Sequence, residues 1–139
     1  MAYKIFIDAN VLLDLSLKRK GYIEAEQLFI EISKGKFTGY ISSSVLHIVF
    51  YILSKELSLD ITKNILLNFL EELIVIDLDK EVAVNAINSK IKDTEDALQY
   101  YAALHHNLDF FISNDKQLKK ESIPNLPVIN TSEFIKSFT

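Results

Sequence analysis

The 139 residues are 49% hydrophobic and 24% charged with a formal net charge of −4, which suits a single folded domain and argues against a broad basic nucleic-acid-gripping face. Cysteine is absent, which removes disulfides, thiolate metal sites and a thiol nucleophile, so any chemistry must come from oxygen and imidazole. No apolar run approaches the roughly 20 residues that span a bilayer, and the opening MAYKIFIDAN lacks the basic and apolar regions of a signal peptide, so a cytoplasmic location with no membrane association is expected.

Tyr3 to Ile7 is a short apolar run of the kind that forms a buried strand, and it ends at Asp8. Asn10 is placed to cap a helix from Val11 to about Leu17, and Lys18 to Gly21 reads as a loop. From Tyr22, the apolar residues Ala25, Leu28, Phe29 and Ile32 recur at helical spacing, with Gly35 as the stop. Gly39 to Ser42 reads as a second strand, followed by helices over Val45–Leu57 and Asp60–Leu73. The β-branched run to Asp77 predicts a third strand from Leu73. Helices follow over 80–89 and 94–106, strands over 109–113 and 127–129, and a last helix capped by Thr131. Strands separated by helices imply a three-layer α/β/α sandwich around a central parallel sheet of about five strands.

Ligands of open parallel sheets bind beyond the carboxyl ends of the strands. Asp8 stands at such an end, and so do Asn114 and Asp115 after Phe-Phe-Ile-Ser. A third acidic element, Asp93-Thr-Glu-Asp96, opens the helix that carries Leu98, Ala102 and Leu104. Each has a structural explanation: a capping box for Asp93 and Asp96, a strand-to-helix turn at Asp8, an Asx turn at Asp115. Their coincidence at one edge of the sheet points further, because three acidic groups there repel one another unless a cation lies between them. Oxygen ligands without cysteine favour Mg2+ or Mn2+.

In the same segments the chain resembles the PIN-domain family. Ile-Phe-Ile-Asp8-Ala-Asn10-Val-Leu-Leu-Asp is similar to the family's first acidic motif, Asp93-Thr-Glu-Asp96-Ala-Leu-Gln to its third, and Phe-Ile-Ser-Asn114-Asp115-Lys116 to its fourth. The resemblance implies a parallel α/β fold that cuts RNA with one or two divalent ions. It implies Asp8, Asp96 and Asp115 as catalytic metal ligands, with Asn10, Asp93 and Asn114 as supporting polar groups. Many short bacterial members are VapC-type toxins neutralised by a small antitoxin, so an antitoxin partner and a homodimer are expected from the same resemblance.

One position departs from the pattern. The family's second acid, a helix glutamate after the second strand, corresponds to His47, and no glutamate follows until Glu56. A helix residue packed against its neighbours, a proton carrier and a metal ligand all remain open for His47, and a catalytically degenerate RNA- or protein-binding domain is the alternative function. Lys116, with Lys119 and Lys120, and the separate Lys55 are candidate phosphate contacts, though exposed lysines are commonly just solvated. Tyr100 and Tyr101 could stack on an unpaired base, with Tyr101 the better fit to the core. His105 and His106 read as a helix end near solvent.

Overall fold

The computed structural model describes residues 2–139. Among these, five strands are interleaved with eight helices. In chain order they are β1 (Tyr3–Ile7), α1 (Ala9–Ser16), α2 (Tyr22–Ser33), β2 (Phe37–Ser42), α3 (Ser43–Glu56), α4 (Leu59–Glu72), β3 (Leu73–Ile76), α5 (Lys80–Ile87), α6 (Thr94–His105), β4 (Phe110–Ile112), α7 (Lys116–Glu121), β5 (Val128–Ile129) and α8 (Thr131–Phe138).

All strand pairs are parallel, in the order β3-β2-β1-β4-β5. Helices flank this sheet, as the alternation of elements requires. No helix among the described residues is long and apolar enough to cross a membrane. The central strand β1 is the most deeply placed, with Ile5, Phe6 and Ile7 fully buried. The Phe6 ring stacks on Phe111 of β4 at 4.8 Å between centroids. Removing such a buried aromatic side chain costs about 3–5 kcal/mol.

Several boundaries differ from the sequence expectation for identifiable reasons. Strand β2 starts at Phe37 instead of Gly39, because Phe37 and Thr38 pair with Tyr3 and Lys4 and so extend the ladder. Within β2, Gly39 permits close packing. A Cβ there would stand 2.6 Å from Cδ2 of Leu73 and 3.1 Å from Cδ1 of Ile32 on α2. Strand β5 begins after Pro127, which has no N–H to give the ladder, although its carbonyl accepts the Phe111 amide at 2.9 Å. Helix α1 begins at Ala9, with Asp8 and not Asn10 in the cap position. Asn130, not Thr131, caps α8, accepting the Glu133 amide at 2.8 Å.

Tyr100 reverses an expectation. It is fully buried, and its hydroxyl donates to the Leu126 carbonyl at 2.6 Å while accepting the Ile123 amide at 2.9 Å. It pins the loop before β5, and burial raises the phenol above its usual pKa. Tyr101, expected in the core, is only partly buried.

The strand order sets the position of the site. The chain runs outward from β1 through β2 to β3, then crosses back to lay β4 on the other side of β1. The reversal falls between β1 and β4, the switch point where a crevice opens at the carboxyl ends of the strands.

Candidate active site

Asp8 leaves the sheet at that switch point. Its amide donates to the Ile112 carbonyl at 3.0 Å, which carries the β1–β4 ladder one residue beyond β1 and brings Asp8 alongside Ser113. The Ser113 hydroxyl donates to Oδ2 of Asp8 at 2.8 Å, and Oγ of Ser113 accepts the Asp115 amide at 3.1 Å. One serine thus fixes both the first carboxylate and the turn that presents the last. Asp8 is 3% exposed. Burial pushes its carboxyl above the usual range and the charge of Asp115 adds to this, while the Ser113 hydroxyl and the amides of Asn10 and Ala9 oppose it.

Asp115 caps α7, its Oδ1 accepting the amides of Gln117 at 2.9 Å and Leu118 at 3.1 Å. This cap explains a helix that periodicity does not suggest, since Leu118 is the only buried residue of α7. Asp93 likewise caps α6, accepting the Asp96 amide at 3.0 Å, so Asp93 has a full structural role. Asp96 does not. Its carboxyl is pushed up to about 7, by partial burial first and then by the charges of Asp8, Asp93 and Asp115, with a hydrogen bond to Asp115 that favours the protonated form. The Lys92 amide, donating to Oε2 of Glu121 at 3.1 Å, ties the start of α6 to the end of α7 and so holds these two acids together.

Asp8, Asp96 and Asp115 therefore lie within electrostatic reach of one another, as the sequence reading expects. Among the described residues, every ion pair uses Asp14, Glu31 or Glu133, and none neutralises this trio. Hard oxygen donors with uncompensated negative charge fit a divalent ion of the Mg2+ or Mn2+ type. Among the described residues no three acidic or imidazole groups stand in ready-made coordinating positions. Closing on an ion thus requires side-chain adjustment, and Oδ1 of Asp115 is already engaged by the cap.

The remaining candidates are placed unevenly. Asn10 is exposed and takes a long 3.5 Å hydrogen bond from Arg19. Asn114 accepts the Thr131 amide at 3.2 Å, bonding the end of β4 to α8. His47 is exposed one turn into α3 and is not among the groups that shift Asp8 or Asp96. Glu56 ends that helix. Lys55 lies about 18 Å along α3 from its first residue, at 1.5 Å per residue, and its ammonium rests over the Tyr51 ring at 4.1 Å. His105 and His106 close α6, edge to face with each other.

Lys116 borders a groove of about 440 Å3 that starts at Ser113, Asn114 and Asp115. Its lining also includes Lys20 and Gly21 of the α1–α2 turn and the first residues of α8. The α1–α2 turn was read from the sequence only as a loop. Its charged residues carry no periodic signal, yet left-handed Lys18 and Gly21 shape it, and Arg19 is held by Asp14 at 3.1 Å.

A family model described as PIN domain matches residues 4–117. The chain is similar to Ribonuclease VapC1 of Aquifex aeolicus (strain VF5), 28% identical over 141 aligned positions that cover 94% of this chain and 92% of that protein. Its fold is similar to that of VapBC2 from Rickettsia felis bound to a DNA fragment from their promoter, with a TM-score of 0.74, 21% identity, and 91% and 98% of the two chains covered. DNA-bound VapBC from Salmonella typhimurium gives 0.71 at 19% identity, covering 93% of this chain and 98% of that one. PAE2754 from Pyrobaculum aerophilum gives 0.59 at 16%, covering 99% and 98%. The matched segment runs from β1 into α7 and includes all three converging aspartates, and the chain belongs to the PIN domain family.

Proposed function

We propose that this protein is a divalent-metal-dependent ribonuclease that hydrolyses RNA phosphodiester bonds, and that it is the toxin of a VapBC-type toxin–antitoxin pair. The observation that carries the reading is the gathering of Asp8, Asp96 and Asp115 at the β1–β4 switch point with no ion pair among the described residues to neutralise them. Similarity to a ribonuclease over 94% of the chain supports it independently.

In this reading the three aspartates hold Mg2+ or Mn2+, which supplies charge stabilisation at the scissile phosphate and makes water there a better nucleophile. Asp8 is preset, since Ser113 orients one of its oxygens and the buried wall of β1 and β4 excludes alternative positions. Asp115 is held at the crevice by its own helix cap. Asp96 rides on α6 and is the least restrained of the three, which suits a ligand that adjusts as the ion enters. A small antitoxin protein is the expected partner, a homodimer the expected assembly, and a single cytoplasmic domain the expected context.

A second reading, a degenerate binding domain, is favoured by two observations: His47 at the position of the usual second acid, and three carboxylates that stop short of coordinating positions. Both readings are tested by incubating the protein and Asp8→Asn with a structured RNA pool in EDTA, Mg2+ or Mn2+. The nuclease predicts cleavage that needs metal and disappears in the variant. Folded protein that binds RNA but cuts none with either metal supports the binding domain.

A further inference from the structure

We infer that the groove beside Asp115 is the seat of the nucleotide next to the scissile phosphate of a single-stranded RNA, with Lys20 and Lys116 holding its phosphate. The inference rests on the ribonuclease reading and adds to it the path of the substrate. The groove begins at Ser113, Asn114 and Asp115, so whatever fills it is covalently within reach of the acidic cluster. Its volume of about 440 Å3 lies in the range of small-ligand clefts, roughly 300–1,000 Å3.

Its charges suit an anion at one part and a hydroxyl or amino group at another. Three lysines line it, Lys20 from the α1–α2 turn and Lys116 and Lys119 from α7. Lys119 stands 3.5 Å from Glu133, but among the described residues neither Lys20 nor Lys116 forms an ion pair. Two ammonium groups in one groove, both outside the ion pairs, supply positive charge that attracts a phosphate. Of the carboxylates in the lining besides Asp115, Asp14 is engaged by Arg19 at 3.1 Å. Glu24 is free of ion pairs among the described residues and would accept a ribose 2′-hydroxyl or a base amino group, which a bare phosphate does not offer.

Thr131 also lines the groove, but its hydroxyl oxygen is buried with no hydrogen-bond partner among the described residues and is not presented to the groove, while its backbone amide is taken by Asn114.

The test measures binding of a fluorescein-labelled, mixed-sequence single-stranded RNA by anisotropy in EDTA, across a salt series. Wild type is compared with Lys20→Ala/Lys116→Ala and with Lys4→Ala/Lys63→Ala, a control carrying the same change in net charge. The groove variant is expected to bind on the order of ten-fold more weakly, with its salt slope reduced by about 0.7 for each lysine removed, while the control changes little. Lys20→Arg/Lys116→Arg should retain binding, which separates lost charge from lost fold. Equal losses in both alanine pairs, or no loss in the groove pair, overturn the assignment while leaving the nuclease intact. Wild type that neither binds RNA nor cuts it with Mg2+ or Mn2+ overturns the ribonuclease reading and this one with it.

Discussion

Removing the charge of Asp96 should stabilise the metal-free protein, and do so more as the pH rises. In the fold its carboxyl is pushed up to about 7 from an ordinary 3.8, by partial burial and by the neighbouring carboxylates. The folded chain therefore holds this proton more tightly than the unfolded chain. The stability it contributes is fully present below about pH 3.8 and is lost as the pH climbs through about 7. An interval of about three pH units is worth about 4 kcal/mol for a fully desolvated group, at about 1.4 kcal/mol per unit. Asp96 is only half buried, and solvent screening reduces this to about 1–2 kcal/mol. Asp96→Asn, which keeps the shape and removes the charge, should raise the Tm in EDTA at pH 8 by about 3–8 °C. The gain should shrink towards zero near pH 4. Thermal melts by circular dichroism at four pH values read this directly. Saturating Mg2+ or Mn2+ should then stabilise the wild type by about 3 kcal/mol at a hundred-fold excess over Kd and the variant by much less. A variant destabilised at pH 8, or a gain that is the same at every pH, would refute the argument that like charges strain this crevice.

Further outcomes follow from individual contacts. Ser113→Ala should reduce cleavage about 10–100-fold, as loss of a ligand-orienting hydrogen bond typically does, with metal affinity from isothermal titration falling in parallel. Unchanged affinity and rate would show that Asp8 needs no tether. Tyr100→Phe should cost about 1–3 kcal/mol in urea unfolding, because it leaves the buried Leu126 carbonyl and Ile123 amide without their partner. Thr131→Val should stabilise the RNA-free protein by about 1 kcal/mol, since it replaces a buried unpartnered hydroxyl with a methyl group of similar size. A lower Tm for that variant would mean the hydroxyl is satisfied within the fold.

The parts of this molecule that were legible in the sequence are those where a local pattern determines the outcome. Ile5-Phe6-Ile7 and Leu73-Ile-Val-Ile76 announce strands by their apolar, β-rich composition, and the acids that follow β1 and β4 mark the ends of those strands. The convergence of Asp8, Asp96 and Asp115 was legible because parallel strands leave a sheet on the same side. Helix α7 was not, for Lys-Gln-Leu-Lys-Lys-Glu shows one apolar residue and owes its helicity to the Asp115 cap. Tyr100 and Tyr101 are adjacent on one helix, so composition could not say which faced inward. Lys55 and Lys116 look alike as isolated cations, and only the strand order separates the lysine that borders the crevice from the one at the far end of α3. The place of Lys20 in the groove wall was not legible for the same reason, since it is set by neighbours distant in sequence.

The hydrogen bond from Ser113 to Asp8 spans 105 positions of the chain. A polypeptide made from its N-terminus first carries Asp8 without its Ser113 partner until the segment from Phe110 to Asp115 has been made and has docked against β1. Contacts of such long range close late, because the loop entropy must be spent before they form. Asp8 therefore takes up its final orientation only once most of the chain is in place.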